Sequence, residues 1–257
     1  MEYVTSADGT RIALDRLGQG PLVILVTGGL DDGNENAPLA AELAAGFTVI
    51  NYQRRGRGSS GDNQPYAVER EIEDIEALIG GGTAFLFGAS SGGALALEAA
   101  AAGLPIGKVA VYEVPYLMDD QMRQDWLSYV DSLVEFLARD RRDDALKLFM
   151  RLAGSPEEQI AAAEASEYWP PLLLIAHTLA YDAACLRDGR PPASFAKISQ
   201  PVLVVTGTND WLGDFYYSAA DAIAEIVPDT HRETLAGQGH VADPGALATV
   251  LTGFFRS

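Results

Sequence analysis

Three stretches of this chain join an unbroken apolar run of strand length to glycines directly after it: "PLVILVTGG" (21–29), "TAFLFGASSGG" (83–93) and "PVLVVTGTND" (201–210). None of them alternates apolar with polar residues. A strand with no polar side must be covered on both faces, which is the situation of parallel strands between layers of helix. The covering helices are legible between the runs. "APLAAELAAG" (37–46) closes on a glycine, a common helix stop. "YAVEREIEDIEALIG" (66–80) sets Val68, Ile72, Ile75, Leu78 and Ile79 at helical spacing, with carboxylates opposite. "SSGGALALEAAAAG" reads as a third helix, and "FTVINYQ" (47–53) and "KVAVYEVP" (108–115) as further strands. The opening "EYVTSADGTRIALDRLG" is a hairpin turning at Asp8-Gly9, where glycine accepts positive φ. Strand and helix in alternation predict an α/β domain, with a mainly parallel sheet entered through an antiparallel hairpin.

The rhythm breaks at Tyr116. Up to about Ser199 the sequence offers amphipathic helices, such as "MRQDWLSYVDSLVEFLARD", "RDDALKLFMRLAG" and "PLLLIAHTLAYDAACLRDG", and no convincing strand. "RPPASFAKISQP" reads as a loop returning to the sheet. Strand–helix order then resumes with 201–207, 215–228, 230–237 and a last helix near 244–255. The division expected is a core of 1–115 and 200–257 interrupted by a helical insertion, 116–199.

Acidic residues outnumber basic ones 36 to 18, for a formal charge of −18. Such a surface repels phosphate backbones and anionic lipid, so neither nucleic acid nor a membrane is an expected partner. The single cysteine, Cys185, rules out an internal disulfide and a thiolate metal cluster. "MEYVTSADGT" does not resemble a signal peptide, and the apolar runs are too short to span a bilayer. A cytoplasmic protein, monomer or homodimer, acting on a small molecule is the expectation.

Gly88-Ala89-Ser90-Ser91-Gly92 fits G-x-S-x-G between a strand and a helix. That context makes Ser90 the candidate nucleophile. The N–H of Ser91, at the helix start, becomes a candidate donor to a developing oxyanion, and the second hydroxyl needs no chemical role. A serine needs a base, and the base an orienting acid. Of His177, His231 and His240, only His240 lies in a loop after the last strand, in "AGQGHVADP". The candidate acid is Asp210, directly after a buried strand; Glu113 at the end of the strand in "VYEVP" competes with it, and Asp214 comes third. The loop Thr27-Gly28-Gly29-Leu30 offers the Gly29 N–H as the other donor, with Leu30 beside it. Gly56-Arg57-Gly58-Ser59-Ser60-Gly61 matches the dinucleotide fingerprint G-x-G-x-x-G, but Pro65 delays the helix past the glycines, so no cofactor is expected.

Taken together these motifs resemble the α/β-hydrolase superfamily, over nearly the whole chain. The resemblance rests on the elbow at 88–92, "GTND" at 207–210, "GQGH" at 237–240, and "QRRGRGSS" at 53–60, similar to a D-x-R-G-x-G-x-S loop. "YAVEREIEDIEALI" and "KVAVYEVP" are similar to a group of small actinobacterial α/β-fold hydrolases. The resemblance implies a mostly parallel eight-stranded sheet with helices on both faces, the insertion forming a cap, and a cofactor-free serine hydrolase. It would cleave an ester, lactone or thioester of a small, largely apolar substrate. The same residues could serve a non-hydrolytic reaction, such as a lyase, perhydrolase or secondary-metabolism step, or a non-catalytic ligand site. Leu30, Trp211, Tyr168 and Trp169 are the expected pocket residues; the insertion's other aromatics include Trp126, Phe136, Phe149 and Tyr181, which can equally pack its own core. The chain departs from the family pattern in three places. Thr27 stands where histidine is usual, Gln53 where aspartate is usual, and Ala89 where a larger residue is frequent.

Overall fold

In the computed structural model, which describes residues 1–209 and 213–257, the opening hairpin forms β1 (Glu2–Thr5) and β2 (Arg11–Leu17). The apolar runs form β3 (Leu22–Val26), β4 (Thr48–Tyr52), β5 (Ala84–Ala89), β6 (Ile106–Tyr112) and β7 (Val202–Gly207), and the polar segment "THRETL" forms β8 (Thr230–Leu235). They make one eight-stranded sheet in the order β1-β2-β4-β3-β5-β6-β7-β8. The pairs β1–β2 and β2–β4 are antiparallel; from β4 to β8 every neighbouring pair is parallel. The core helices are α1 (Ala37–Leu43), α2 (Val68–Ile79) and α3 (Ser91–Ala101); the excursion between β6 and β7 holds α4 (Asp120–Ala138), α5 (Arg142–Leu152), α6 (Glu157–Glu164), α7 (Trp169–Ile175) and α8 (Leu179–Leu186); α9 (Phe215–Ile226) and α10 (Pro244–Arg256) complete the chain.

The uniform apolarity of β3 is explained by its surroundings. Val23 and Leu25 face Leu39 and Leu43 of α1 and Leu247 and Leu251 of α10. Ile24 and Val26 face the opposite layer, with Ile75 and Leu78 of α2, Leu95 of α3 and Ile223 of α9. Alternate residues along one strand thus feed two separate cores, and a polar residue on either side would lose its water. Two helix starts carry side-chain caps. Asp243 accepts a hydrogen bond from the Ala246 N–H ahead of Pro244, and Asp119 accepts one from Met122.

The excursion packs onto the core through α8, against α3 and α2, and α4 packs in turn on α8. "PLLLIAHTLAYDAACLRDG" reads as one helix in the sequence. The structure divides it into α7 and α8 by a tight 3₁₀ turn at Ala176–Thr178. The Thr178 hydroxyl donates to the Ile175 carbonyl at 2.8 Å and accepts from Arg57 Nε at 3.1 Å, so a tertiary contact overrides local propensity. The return loop also carries a short 3₁₀ turn, Ala193–Lys197, anchored by buried Phe195. No helix among the described residues is long and apolar enough to cross a membrane.

Candidate active site

Five non-glycine residues among those described adopt positive φ, and three of them follow adjacent strands of the sheet: Ser90 and Glu113 directly after β5 and β6, and Leu30 in the loop after β3. Side chains in this region cost about 1–2 kcal/mol each, so strain gathers at one edge of the sheet, as it does at functional sites. Ser90 has φ 53° and ψ −130°. The turn is possible because its neighbours lack side chains. A Cβ on Gly88 would collide with the Gly92 carbonyl, and one on Gly92 with the Val26 and Thr27 carbonyls. Strand, helix and the loop after β3 meet there at backbone distance. Ser91 opens α3, so its N–H belongs to the first turn, which has no intrahelical partner.

Glu113 is 1% exposed, and its carboxylate is held from two sides. One oxygen accepts the Gly207 N–H at 2.9 Å, and the other lies 2.9 Å from His240 Nδ1. A carboxylate only accepts, so Nδ1 carries the hydrogen and Nε2 of the neutral ring is left as an acceptor. The ring stacks on Tyr216 with centroids 5.1 Å apart, and its side chain is 39% exposed. The loop carrying it is stitched to the end of β7. Asn209 N–H donates to the Gln238 carbonyl at 2.8 Å, and Gly237 N–H to the Thr208 hydroxyl at 2.7 Å. Glu113 is therefore the acid that meets His240. Asp210 and Trp211 lie outside the described residues.

The loop after β3 abuts the elbow. A Cβ on Gly28 would lie 3.1 Å from Ser90 Cβ and 3.8 Å from Ser90 Oγ. Beneath this loop is a charged group that the sequence did not announce. Arg54 pairs with both oxygens of Glu71, at 2.7 and 2.6 Å, and with Asp182 at 2.6 Å. Arg57 pairs with both oxygens of Asp182 at 2.8 Å. The two arginines donate to the loop's own carbonyls: Arg54 to Thr27, Arg57 to Gly28 and Asp31. The Ser91 hydroxyl, which the sequence reading left idle, donates to Asp182 at 2.8 Å. Burial alone raises a carboxyl's pKa, but the Arg57 and Arg54 charges win at Asp182 and hold it below the usual range. Gln53, in place of the usual aspartate, still closes the 53–60 turn, its side chain accepting from Ser59 N–H and its carbonyl from the Ser60 hydroxyl.

Leu30 packs on a cluster of Leu146, Trp169 and Ala176, and Phe149 approaches Gly29, its ring 3.8 Å from where a Cβ would be. Trp169 is buried and donates to Asp143 at 2.9 Å, while Tyr168 is 70% exposed. His231 is exposed on edge strand β8. His177 lies in the 176–178 turn, 3.4 Å from Asp62. The glycines at 56–61 precede α2 by several residues, so α2 does not start within them. Among the described residues no group of three or more His, Cys, Asp or Glu side chains is placed to hold a metal ion. A surface cleft of about 360 Å³ opens between Met1, Asp15, Leu17 and Ala37, on the β2–β4 side of the sheet, and lies apart from Ser90.

Residues 23–250 match the model of the alpha/beta hydrolase family. The chain belongs to that family. An alpha/beta hydrolase from Sphaerobacter thermophilus DSM 20745 is similar to it at 45% identity, over 99% of this chain and 100% of that one, with a TM-score of 0.87. An esterase from Exiguobacterium antarcticum has the same fold at 20% identity, over 99% of each chain, with a TM-score of 0.76. An uncharacterized hydrolase of Bacillus subtilis, YraK, is 29% identical over 150 residues, 56% of this chain and 55% of that protein. The chain thus matches only about half the length of that curated relative. For an alpha/beta hydrolase, the strained serine after β5 and the histidine after β8 stand where the fold gathers the ends of its parallel strands.

Proposed function

We propose that this alpha/beta hydrolase is a serine hydrolase that cleaves an ester, lactone or thioester of a small, largely apolar substrate through an acyl-enzyme on Ser90. The observation that carries the reading is the Glu113–His240 pair, 2.9 Å apart, with the second carboxylate oxygen fixed by the Gly207 N–H. A buried carboxylate with one oxygen anchored by backbone and the other on a partly exposed imidazole fixes the tautomer that a general base needs.

In the proposed cycle, His240 Nε2 takes the Ser90 proton as Oγ attacks the carbonyl carbon. The oxygen that becomes negative is held by the N–H groups of Gly29 and Ser91, each such donor contributing about 3–4 kcal/mol to lowering the barrier in comparable sites. The tetrahedral adduct collapses, its C–O or C–S bond breaks, and the imidazolium returns the proton to the leaving alcohol or thiol. A water, deprotonated by His240, then attacks the acyl-enzyme and frees the acid and Ser90. Residues 116–199 serve as a cap, and Leu30, Phe149 and the Leu146–Trp169 cluster favour an apolar acyl or alcohol group. Turnover of p-nitrophenyl acetate and butyrate tests the reading. Wild type is expected to release p-nitrophenolate and Ser90→Ala to lose at least about 10³-fold of the rate. Equal rates in the two proteins, or none in either, contradict it.

A further inference from the structure

The Gly28–Gly29 peptide bond is trans, so the Gly28 carbonyl and the Gly29 N–H point in opposite directions from one plane. Arg57 Nη1 donates to that carbonyl and also to the Asp31 carbonyl at 3.1 Å. Its grip therefore aims the Gly29 N–H the other way. A cation on the oxygen side also polarises the peptide and strengthens the N–H as a donor. Arg57 in turn has little freedom. Its Nη2 meets both oxygens of Asp182 and its Nε meets the Thr178 hydroxyl, and the residue is 1% exposed. The same Asp182 oxygen that takes Arg57 and Arg54 accepts the Ser91 hydroxyl at 2.8 Å. Ser91 is the residue whose N–H supplies the other proposed donor.

We infer that Asp182, carried by α8 of the helical excursion, is a positioning residue for both oxyanion donors, acting on Gly29 through Arg57 and on Ser91 directly. The inference rests on the serine-hydrolase reading and adds a coupling to it. Asp182 and Thr178 both come from the excursion, whereas the donors belong to the core, so the oxyanion site is complete only when the excursion is seated. Gly29 itself adjoins the Asp182 carboxylate, which would lie in van der Waals contact with a Cβ there, at 3.4 Å. The arrangement is neutral overall, with Arg54 and Arg57 facing Glu71 and Asp182, so buried charge is not left uncompensated while the carboxylate does this work.

The test compares wild type with Asp182→Asn, Arg57→Lys and Ser91→Ala. The readouts are p-nitrophenyl butyrate turnover, the affinity of phenylboronic acid, which forms a tetrahedral adduct on the serine, and Tm. A lost or misdirected donor lowers kcat and transition-state affinity together and spares ground-state binding. Asp182→Asn is expected to lose roughly 10- to 100-fold in kcat, with KM within about threefold, and to weaken boronate binding by a similar factor. Arg57→Lys, which keeps the charge without the fork, loses less than Asp182→Asn. Ser91→Ala keeps its backbone N–H and its fold and loses about 3- to 10-fold in kcat. If Asp182→Asn does not fold, Ser91→Ala and Arg57→Lys decide the matter. Variants with lowered Tm but wild-type kcat and boronate affinity overturn the inference and leave the hydrolase reading intact. A wild-type protein with neither turnover nor boronate affinity overturns both.

Discussion

Two sets of charged side chains lie close together in this molecule and are built on opposite rules. Glu113 and His240 form a single pair in which the carboxylate is buried and the imidazole is left 39% exposed. Arg54, Glu71, Arg57 and Asp182 form a closed set, no side chain more than 9% exposed, with nearly every charged atom already engaged. The first set leaves its imidazole partly open to solvent and has little redundancy. The second has redundancy and no open valence. Under the proposed function, the contrast separates a group that exchanges a proton with a ligand from one that holds loops still. A proton acceptor loses its use if its last lone pair is occupied, and a buried charge becomes costly if any partner is removed.

The contrast can be broken by substitutions that exchange activity loss for stability loss. The largest effect is expected at Glu113. Glu113→Gln keeps an acceptor for the Gly207 N–H but presents an amide N–H to Nδ1, favouring the wrong tautomer. Turnover of p-nitrophenyl butyrate should fall about 10³- to 10⁴-fold, with Tm close to wild type, whereas Asp210→Asn should stay within about tenfold of wild type. The reverse ranking would return the acid's role to Asp210. In the closed set, Glu71→Gln leaves Arg54 short of charge in a buried site. It should cost about 3–5 kcal/mol, read as a lowered midpoint in urea, and should reduce activity chiefly through loss of folded protein.

A smaller, pH-dependent effect sharpens the same distinction. Asp182 is held below the usual carboxylate range by Arg57 and Arg54 despite its burial. A depressed folded-state pKa adds stability that is complete above the unfolded value, about 4, and is lost as the pH falls through the lower folded value. The Tm gap between wild type and Asp182→Asn should therefore be widest near neutrality and shrink progressively below about pH 4. A gap independent of pH contradicts the charge assignment. The mildest prediction concerns Cys185, which sits against Arg54 and Tyr66. Burial pushes its thiol up to about 12, so iodoacetamide at pH 8 should leave the native protein unmodified and label it after unfolding. Rapid labelling of the native state would show that the closed set opens readily.

Much of this was legible in the sequence because it is local. The uniform apolarity of 21–26, 84–87 and 202–205 dictated strands covered on both faces, and the glycines at 88 and 92 dictated the tight elbow. The loop after β8 singled out His240, and the choice of acid was narrowed to Asp210 and Glu113, with Asp214 third. Spatial contact was needed to choose Glu113, since both candidates follow parallel strands and the spacing alone treats them alike. The closed set was hidden for a plainer reason. Arg57 and Asp182 are 125 residues apart, and Ser91 and Asp182 are 91 apart, with no shared periodicity. Arg54 and Arg57 lie in a stretch that reads only as a loop, and Asp182 lies in one that reads only as a helix. The closest available signal was density: three arginines within four positions of a chain with only 18 basic residues.

The central claim is that the Ser90 hydroxyl forms a covalent bond with an acyl carbon. Reaction with a fluorophosphonate, followed by proteolysis and peptide mass mapping, tests it most directly. The account predicts one adduct per chain, on the Ser90 side chain, abolished in Ser90→Ala and strongly slowed in His240→Ala. An adduct on any other residue, or none on a folded wild-type protein, would contradict it.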